Sequence, residues 1–312
     1  MKICLAGEGA MGTNHMQAMR GIEGVEVVTL AGGIEEDAAA FAKQWEISHC
    51  SLSLEECLNQ PGVEAVILAT PSQVHATQAI QALRMGKHVL VEIPMALNLE
   101  DSERLVAEAE KSGLVCMVNH SFRYSAPFRE VYRRVQQEEM LHLHHVIAQT
   151  YFFRRTNVNM YGKPRTWTDN LLWHHACHMV DFVSWLLDDP DLDVRGQAGP
   201  GHPRLGIPMD LTVGMRSKDG TLVSGVLSFN NHGPTTVTYR LIGEEDTLIL
   251  ERGALTDKDG NPVPLEGEPY ESPAKEFIDA IREGREPLTS VQACLPTMRL
   301  LDKIQRSIDD KG

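Results

Sequence analysis

Three closely spaced glycines follow directly after the first apolar run of the chain, Lys2–Ala6. They have the spacing G-x-G-x-x-G and stand where a strand-like run gives way to a helical pattern. Such glycines let the backbone turn tightly and approach a pyrophosphate, which then lies against the positive end of the helix. The alternative is a glycine turn that binds nothing. The position of the motif favours a dinucleotide site, and its predicted residues are Gly7, Gly9, Ala10, Met11 and Gly12.

The first 119 residues alternate short, almost wholly apolar runs with helical patterns. Parallel strands that are covered on both faces have this composition, and strands that alternate with helices build β-α-β units. A capping box, Ser53 with Glu56, predicts one further short helix. Residues 1–119 are therefore predicted to form an α/β domain, a Rossmann-type doubly wound parallel sheet. Its predicted strands are Lys2–Ala6, Val25–Leu30, Ala65–Ala69, His88–Glu92 and Leu114–Val118, and its longer helices are Met11–Arg20, Glu35–Gln44, His75–Met85 and Leu99–Lys111.

After residue 119 the pattern changes to helices followed by strands that are linked by turns. Asp219-Gly220 lies between two alternating strands and is a strong hairpin signal. Residues 120–312 are therefore predicted to form an α+β domain with an open antiparallel sheet, which binds the substrate and whose open face makes the oligomer contact. The predicted helices are Ala126–Gln137, Leu171–Leu187 (amphipathic), Lys275–Glu283 and Leu295–Ile308, and the strands are His145–Phe153, Leu211–Arg216, Thr221–Phe229, Thr236–Ile242 and Thr247–Glu251.

The charge and the cysteines of the chain narrow its function. Lys and Arg number 29 against 43 Asp and Glu, and a surface with a net charge of -14 repels nucleic acid and anionic lipid. No apolar run is long enough to span a membrane, and the N-terminal run leads into the glycine turn instead of resembling a signal peptide. Six cysteines are scattered without a C-x-x-C pair, which favours a reducing compartment. We therefore expect a cytoplasmic protein that binds a small molecule.

The end of the second predicted strand bears on which dinucleotide binds. An acidic residue there accepts hydrogen bonds from the ribose hydroxyls of NAD and repels the 2′-phosphate of NADP. This chain has Gly32 at that position, and no arginine follows that could hold a phosphate. The missing acid favours NADP, while NAD remains possible. We expect the substitution Gly32→Asp to shift the preference toward NAD.

Several motifs of the first 119 residues, taken together, resemble those of the Gfo/Idh/MocA oxidoreductases. This resemblance implies a nicotinamide cofactor bound by the glycine motif together with residues from the other motifs of the domain. The motifs are Gly7–Gly12 with His15, Ala69-Thr70-Pro71 with His75, and Gly86–Val89 running into Glu92-Ile93-Pro94. The further cofactor-binding residues that the resemblance implies are Gly32, Thr70, Pro71, His75 and Glu92.

The chain departs from this family at two polar positions. The family's catalytic lysine is replaced by Ile93, and the first Asp of its helical pattern Asp-x-x-x-His-x-x-Asp is replaced by His174. The other two members of that pattern match His178 and Asp181. The resemblance therefore implies that His178 is catalytic, whereas oxidation of a sugar or an inositol is less favoured.

Four longer motifs are similar to one branch of the family, the 4-carboxy-2-hydroxymuconate-6-semialdehyde dehydrogenases. They are Gln149–Arg155, Pro164–Asp169, Leu171–His175 and Ser228–Asn231. This branch also has an aliphatic residue in place of the lysine. The resemblance implies oxidation of a cyclic hemiacetal to 2-pyrone-4,6-dicarboxylate in the protocatechuate 4,5-cleavage pathway. It also implies NADP as the usual acceptor and a homodimer or larger homo-oligomer.

The chemistry of that reaction assigns roles to individual residues. Oxidation of the hemiacetal needs a base for the hydroxyl proton, and a neutral histidine is suited to this, so His178 is the predicted base. His174 lies four residues earlier on the same helix face. It is predicted to orient groups at the site or to relay the proton. A dicarboxylate needs guanidinium groups, which match carboxylates bidentately. The predicted substrate-binding residues are Arg123, Arg154, Arg165, His175 and Asn230, with Arg155 as an alternative to its neighbour Arg154.

Other interpretations of the same residues stay open. His174 and His178 have the i, i+4 spacing of a zinc site, but no third ligand is placed by spacing, so we expect no metal. The clustered histidines could also be buried structural residues. The enzyme could oxidise another cyclic polyol or hemiacetal. Ile93 slightly favours a different class, an NADP-binding redox sensor without turnover.

Overall fold

The computed structural model describes residues 1–159, 162–165, 167–189, 191–265 and 272–310. The chain divides into two compact units. Unit 1 consists of Met1–Ser121, Asn159–Lys163 and Ser272–Leu295, and unit 2 consists of Phe122–Val158, Pro164–Glu271 and Pro296–Gly312. Unit 1 thus contains two later segments of the chain, whereas the predicted boundary at residue 119 placed both of them in the second domain.

Unit 1 is built on a parallel sheet. Its strands are β1 (Lys2–Ala6), β2 (Glu26–Ala31), β3 (His49–Ser51), β4 (Val63–Leu68), β5 (His88–Val91) and β6 (Cys116–Val118). Among the described residues they are ordered β3-β2-β1-β4-β5-β6, and each neighbouring pair is parallel. The chain reverses its direction of winding between β1 and β4, and dinucleotides bind beside the carboxyl ends of strands at such a point. The predicted Rossmann-type sheet is confirmed.

The helices of unit 1 follow the apolar periodicity of the sequence. They are α1 (Ala10–Met19), α2 (Glu35–Trp45), α3 (Leu54–Leu58), α4 (His75–Arg84) and α5 (Leu99–Ser112). Ser53 begins α3 as predicted, because its side chain accepts a hydrogen bond from the Glu56 N–H at 3.3 Å. The Glu56 carboxylate instead accepts from the Ser51 hydroxyl, so only half of the predicted capping box forms. Strand β3 was not predicted, because His-Cys-Ser contains no apolar run.

Unit 2 contains a sheet of strands that alternate buried and exposed residues. After α6 (Ala126–Gln136), its strands are β7 (Leu143–Tyr151), β8 (Asp193–Ala198), β9 (Asp210–Arg216), β10 (Leu222–Ser228), β11 (Thr236–Gly243), β12 (Thr247–Glu251) and β13 (Ala254–Thr256). In the described residues they are ordered β13-β12-β11-β7-β10-β9-β8. The β9–β10 hairpin turns at Asp219-Gly220 as predicted.

The prediction of a wholly antiparallel sheet needs one correction. β7 and β10 are paired in parallel, while the other neighbouring strands of this sheet are antiparallel. The chain between β7 and β10 includes a helical segment as well as two strands. A connection of this length allows a parallel return, which a tight turn does not.

The helical segment from Leu171 to Leu187 also differs from its prediction. Its first part, Leu171–Ala176, is a π-helix, and the α-helix α7 (Cys177–Leu187) continues from it. The predicted amphipathic pattern is wrong, because every residue from Leu171 to Leu187 is buried or half-buried. The segment is therefore an interior element of unit 2.

The chain closes with α8 (Pro273–Glu283) and α9 (Val291–Asp309), close to the two predicted helices. In the described part of the chain, no helix has both the length and the apolar composition that a membrane span requires.

Candidate active site

The three glycines of the N-terminal motif differ in the space around them. A Cβ atom on Gly7 would lie 2.3 Å from the Ala69 carbonyl oxygen, and one on Gly12 would lie 2.1 Å from the Gly7 carbonyl oxygen. Gly7 also has a φ of +105°, which favours glycine. A Cβ on Gly9, in contrast, would meet nothing within 4 Å. Two glycines thus allow tight packing, while the third leaves open space, an arrangement that fits a pyrophosphate.

The first turn of α1 presents backbone N–H groups beside this open space. Gly9 is the N-cap, and its lack of a side chain means that no capping group covers the helix end. Ala10 and Met11 are both exposed, and 39% of the Met11 surface is accessible. The positive end of α1 is therefore suited to a phosphate, and these residues fit the nicotinamide dinucleotide that the sequence implies.

His75 connects the segments that follow β4 and β5. Its ring nitrogens lie 2.8 Å from the carbonyl oxygens of Thr70 and Pro94. The ring is 1% exposed, and burial lowers the pKa of His75 below its ordinary value. The Thr70 hydroxyl donates to the Gln78 side chain at 2.6 Å, so Thr70-Pro71 is held in place from two sides. His75 thus positions the predicted cofactor-binding turn.

Glu92 lies in a second buried polar group at the end of β5. One of its carboxylate oxygens accepts hydrogen bonds from His15 Nε2 and Asn119 Nδ2, each at 2.7 Å. Burial alone would raise the pKa of Glu92, but these hydrogen bonds hold it below its usual range. The carboxylate therefore stays charged and ties α1 to the ends of β5 and β6. His15 and Asn119 were not predicted as site residues, although His15 belongs to the motif that carries the family resemblance.

An acid from the glycine motif lies at the end of β2, which the sequence did not predict. The Glu8 carboxylate, from the glycine motif, accepts from the Gly33 N–H at 3.0 and 3.1 Å and from the Ile34 N–H at 3.0 Å. A Cβ on Gly32 would lie only 2.3 Å from the Ala38 Cβ. Residue 32 itself carries no acid, as the sequence shows, but the Glu8 carboxylate lies close to it. The proposed Gly32→Asp substitution would also push α2 away from β2.

In unit 2, the π-helix carries two of the three predicted histidines. π-helical turns are rare and often occur at functional sites. Asn170 caps this one through a hydrogen bond from the Trp173 N–H at 2.8 Å, and the Asn170 N–H donates to His174 Nδ1 at 3.1 Å. Because Nδ1 accepts this bond, a neutral His174 carries its proton on Nε2. His174 is 9% exposed, and its ring stacks on Trp167.

A carboxylate that was not predicted organises three of the predicted side chains. Asp169 lies 2.5 Å from Arg154 Nη1, 2.9 Å from Arg165 Nη2 and 2.9 Å from His175 Nε2. Burial would raise the pKa of Asp169, but the hydrogen bonds from His175 and Arg154 outweigh it and hold the pKa far below its usual range. Two guanidinium groups and one carboxylate leave this Asp169 cluster with a positive charge. Such a cluster can bind an anionic group.

Aromatic rings enclose the Asp169 cluster. Phe152 and Phe229 lie 5.3 and 5.0 Å from the His175 ring, and the Arg154 guanidinium is 5.3 Å from the centre of the Phe229 ring. Apolar surroundings strengthen charge interactions. The signal for Asp169 was present in the sequence, since it ends the motif Pro164–Asp169, but no spacing rule gave it a role.

Arg123 has a different environment from the other predicted arginines. It forms two hydrogen bonds with Asp181, of 3.0 and 2.7 Å, and the Thr297 hydroxyl donates to the same carboxylate at 3.0 Å. Arg123 is 4% exposed and Asp181 is 1% exposed. Placing Arg123 among the leading substrate ligands is therefore not supported, because its charge is already neutralised inside unit 2.

The remaining predicted residues lie at the surface or half-buried. His178 is in the first turn of α7, half-buried, with its ring 5.0 Å from that of Phe122. Asn230 is exposed and donates to the Asp210 carboxylate at 2.6 Å. Arg155 donates to the carbonyl oxygens of Arg154 and Phe229 instead of pairing with Asp169. Of the two adjacent arginines, Arg154 is the one in the cluster.

Comparison with known proteins identifies the family. Residues 1–120 match a model described as an oxidoreductase family with an NAD-binding Rossmann fold, Gfo/Idh/MocA, and residues 128–267 match bacterial oxidoreductases, C-terminal. A 4-carboxy-2-hydroxymuconate-6-semialdehyde dehydrogenase of a Sphingobium species is 39% identical over the full length of both chains. The chain belongs to the Gfo/Idh/MocA oxidoreductase family. A 1,5-anhydro-D-fructose reductase of Ensifer adhaerens is 28% identical over 80% of this chain and 75% of its own.

Solved structures agree with this Gfo/Idh/MocA assignment at the level of the fold. A levoglucosan dehydrogenase in complex with NADH and levoglucosan superposes with a TM-score of 0.87 at 18% identity, covering 100% of this chain and 98% of its own. GenD2 of gentamicin A biosynthesis, in complex with NAD, gives a TM-score of 0.85 at 19% identity, with coverage of 100% and 95%. The predicted membership is confirmed, and the protein is an oxidoreductase with an NAD-binding Rossmann fold.

Proposed function

We propose that this oxidoreductase converts the cyclic hemiacetal of 4-carboxy-2-hydroxymuconate-6-semialdehyde into 2-pyrone-4,6-dicarboxylate. The Asp169 cluster is the observation that carries this proposal. Arg154 and Arg165 form a positive site in a chain whose net charge is -14, which is what a dicarboxylate requires. The relative with 39% identity over its full length bears the name of this activity.

The reaction needs a proton and a hydride to leave the same C–OH group. The His178 imidazole would accept the hydroxyl proton as the carbon becomes the carbonyl of the lactone, and the glycine motif Gly7–Gly12 would hold the dinucleotide. When bound, the oxidised nicotinamide serves as the hydride acceptor. Ile93 cannot exchange a proton, so this position does not supply the base, and a histidine of unit 2 takes that role.

His174 acts as a positioning residue. Its Nδ1 accepts the Asn170 N–H, and its ring stacks on Trp167, so its orientation is set by the π-helix. The neutral ring then carries its proton on Nε2. A donor of this kind suits a carboxylate or ring oxygen of the substrate, whereas a proton acceptor does not result from this tautomer.

Turnover tests the proposal directly. With the hemiacetal and either oxidised dinucleotide, we expect absorbance of the reduced nicotinamide to appear together with the pyrone dicarboxylate. A panel that includes levoglucosan, an inositol and 1,5-anhydro-D-fructose serves as the control. If the enzyme prefers an uncharged polyol, the proposed substrate is wrong and the protein is a dehydrogenase of another cyclic polyol or hemiacetal. Nucleotide binding without turnover of any panel member would support the redox sensor that Ile93 slightly favours.

We expect Arg154→Gln and Arg165→Gln to raise the KM for the dicarboxylate by at least about tenfold each, since a charge-assisted hydrogen bond contributes roughly 1.5–3 kcal/mol. The KM for the dinucleotide should not change. Arg195→Gln is the matched control, because it removes the same charge from unit 2 at a side chain that is 78% exposed. Unchanged KM in both cluster variants would show that the substrate is not held as a dianion there.

We further propose that the protein forms a homodimer or a larger homo-oligomer through the outer face of the unit 2 sheet. Four apolar side chains on that face are half-buried or exposed: Ile147, Leu222, Val226 and Ile249. Residues that flank each of them in its strand are buried on the opposite face. Cover by a second copy would remove this apolar surface from water.

A further inference from the structure

We propose that Glu8 selects NAD over NADP. In this protein the glycine motif supplies the acid that usually stands at the end of the second strand. The inference rests on the proposed function only in taking the ligand to be a nicotinamide dinucleotide. It reverses the preference for NADP that the sequence and the family branch favour. The residues that carry it all belong to unit 1.

The Glu8 carboxylate is held at the carboxyl end of β2 by backbone hydrogen bonds. The Gly33 N–H contacts both of its oxygens, at 3.1 and 3.0 Å, and the Ile34 N–H donates to one of them at 3.0 Å. These donors stand just before the first turn of α2, where the helix dipole also favours a negative charge. These backbone hydrogen bonds fix the position of the carboxylate beside the end of β2.

This carboxylate lies next to the place where a side chain on residue 32 would begin. A Cβ built on Gly32 would lie 3.6 Å from Glu8 Oε2, and one on Gly33 would lie 3.6 Å from Glu8 Oε1. Residue 32 cannot supply the acid itself, because its Cβ would lie 2.3 Å from the Ala38 Cβ. Glu8 therefore places an anion where the ribose hydroxyls of NAD would be recognised and where a 2′-phosphate would be repelled.

Other charges at this edge of unit 1 add to the repulsion of a phosphate. Glu35, Glu36 and Asp37 occupy the first turn of α2, and the two glutamates are exposed. Lys163 is a cation that approaches this turn, and its ammonium group lies 2.5 Å from Asp37. Glu8, which is held at the end of β2, is therefore the main source of the repulsion, and the exposed glutamates add a weaker contribution that salt screens.

Nucleotide binding without substrate tests the inference. Reduced NADH and NADPH are titrated into the protein while nicotinamide fluorescence is followed. We expect wild type to bind NADH at least roughly tenfold more tightly than NADPH, since a carboxylate beside a phosphate is strongly unfavourable. Glu8→Gln keeps an oxygen that can accept from Gly33 and Ile34 but removes the charge, and it should narrow the ratio of the two dissociation constants by about tenfold.

Two further variants distinguish the effect of the carboxylate at position 8 from the effect of net charge near α2. Glu36→Gln removes one charge from the exposed first turn of α2 and should leave the ratio within about twofold of wild type, because exposed charges are screened by salt. Glu8→Asp keeps the charge and should keep the preference for NADH. It also guards against a Glu8→Gln variant that fails to fold.

The binding measurements can overturn the role of Glu8, the proposed function, or both. A wild-type preference for NADPH, an unchanged ratio in Glu8→Gln, or an equal effect of Glu36→Gln would overturn the inference. Failure to bind either nucleotide would overturn both the inference and the proposed function. If the nucleotide ratios behave as expected but the hemiacetal is not turned over, the proposed substrate is wrong and the role of Glu8 stands.

Discussion

Replacement of His178 by Asn is expected to lower kcat by about 10²–10⁴-fold, the contribution of a positioned general base. The affinity for NADH should stay within about twofold, because His178 is not among the residues predicted to bind the dinucleotide. Nicotinamide absorbance under saturating substrate measures kcat, and fluorescence titration measures the affinity. The rate of the wild-type enzyme should fall toward acid pH, because a protonated imidazole accepts no proton.

The two neighbouring histidines provide the controls for this assignment. His174 Nδ1 already accepts a backbone hydrogen bond, and His175 Nε2 donates to Asp169. We therefore expect His174→Asn to lower kcat less than His178→Asn, and His175→Asn to act mainly on the KM of the dicarboxylate. If His178→Asn keeps more than about a tenth of kcat while His175→Asn abolishes it, the base is the histidine that Asp169 orients.

The parallel sheet of unit 1 could be predicted because each strand can be recognised from its own residues. Strands β1, β4 and β5 are almost entirely apolar, as strands covered on both faces must be, and the glycine motif lies at a fixed place relative to β1. β3 was missed since it has only three residues and no apolar run. The parallel pair β7–β10 was missed because pairing between distant strands leaves no mark on either strand.

The site was predictable in its residue types but not in its pairings. The motifs predicted His178, Arg154 and Arg165, and the structure brings the two arginines together at Asp169. The sequence did not predict Asp169, because three partners from different segments converge on it. Glu8 was missed for a related reason. It occupies a variable position of the glycine motif, and its contact with Gly33 joins residues 25 apart in the chain.

The second large effect that we expect concerns stability. Asp181→Asn should lower the free energy of unfolding by about 3–5 kcal/mol, because it removes the charge of the carboxylate that pairs with the buried Arg123 guanidinium. Arginine cannot escape this cost by losing its proton. Thermal unfolding, monitored by circular dichroism, should show a fall in Tm of roughly 6–20 °C. A change within about 2 °C would mean that Arg123 finds solvent or another anion.

A double variant separates the charge of this pair from its packing. Arg123→Met with Asp181→Leu replaces both partners by apolar side chains of similar size, and such replacements of buried ion pairs are often neutral or stabilising. We therefore expect it to recover most of the stability that Asp181→Asn loses. Activity provides the second measurement, because Asp181 lies three residues after His178 in α7. If Arg123–Asp181 serves only stability, the double variant should also recover kcat. If the double variant is stable but its kcat stays low, the ion pair also fixes the rotation of α7. That rotation sets the direction in which the His178 ring points.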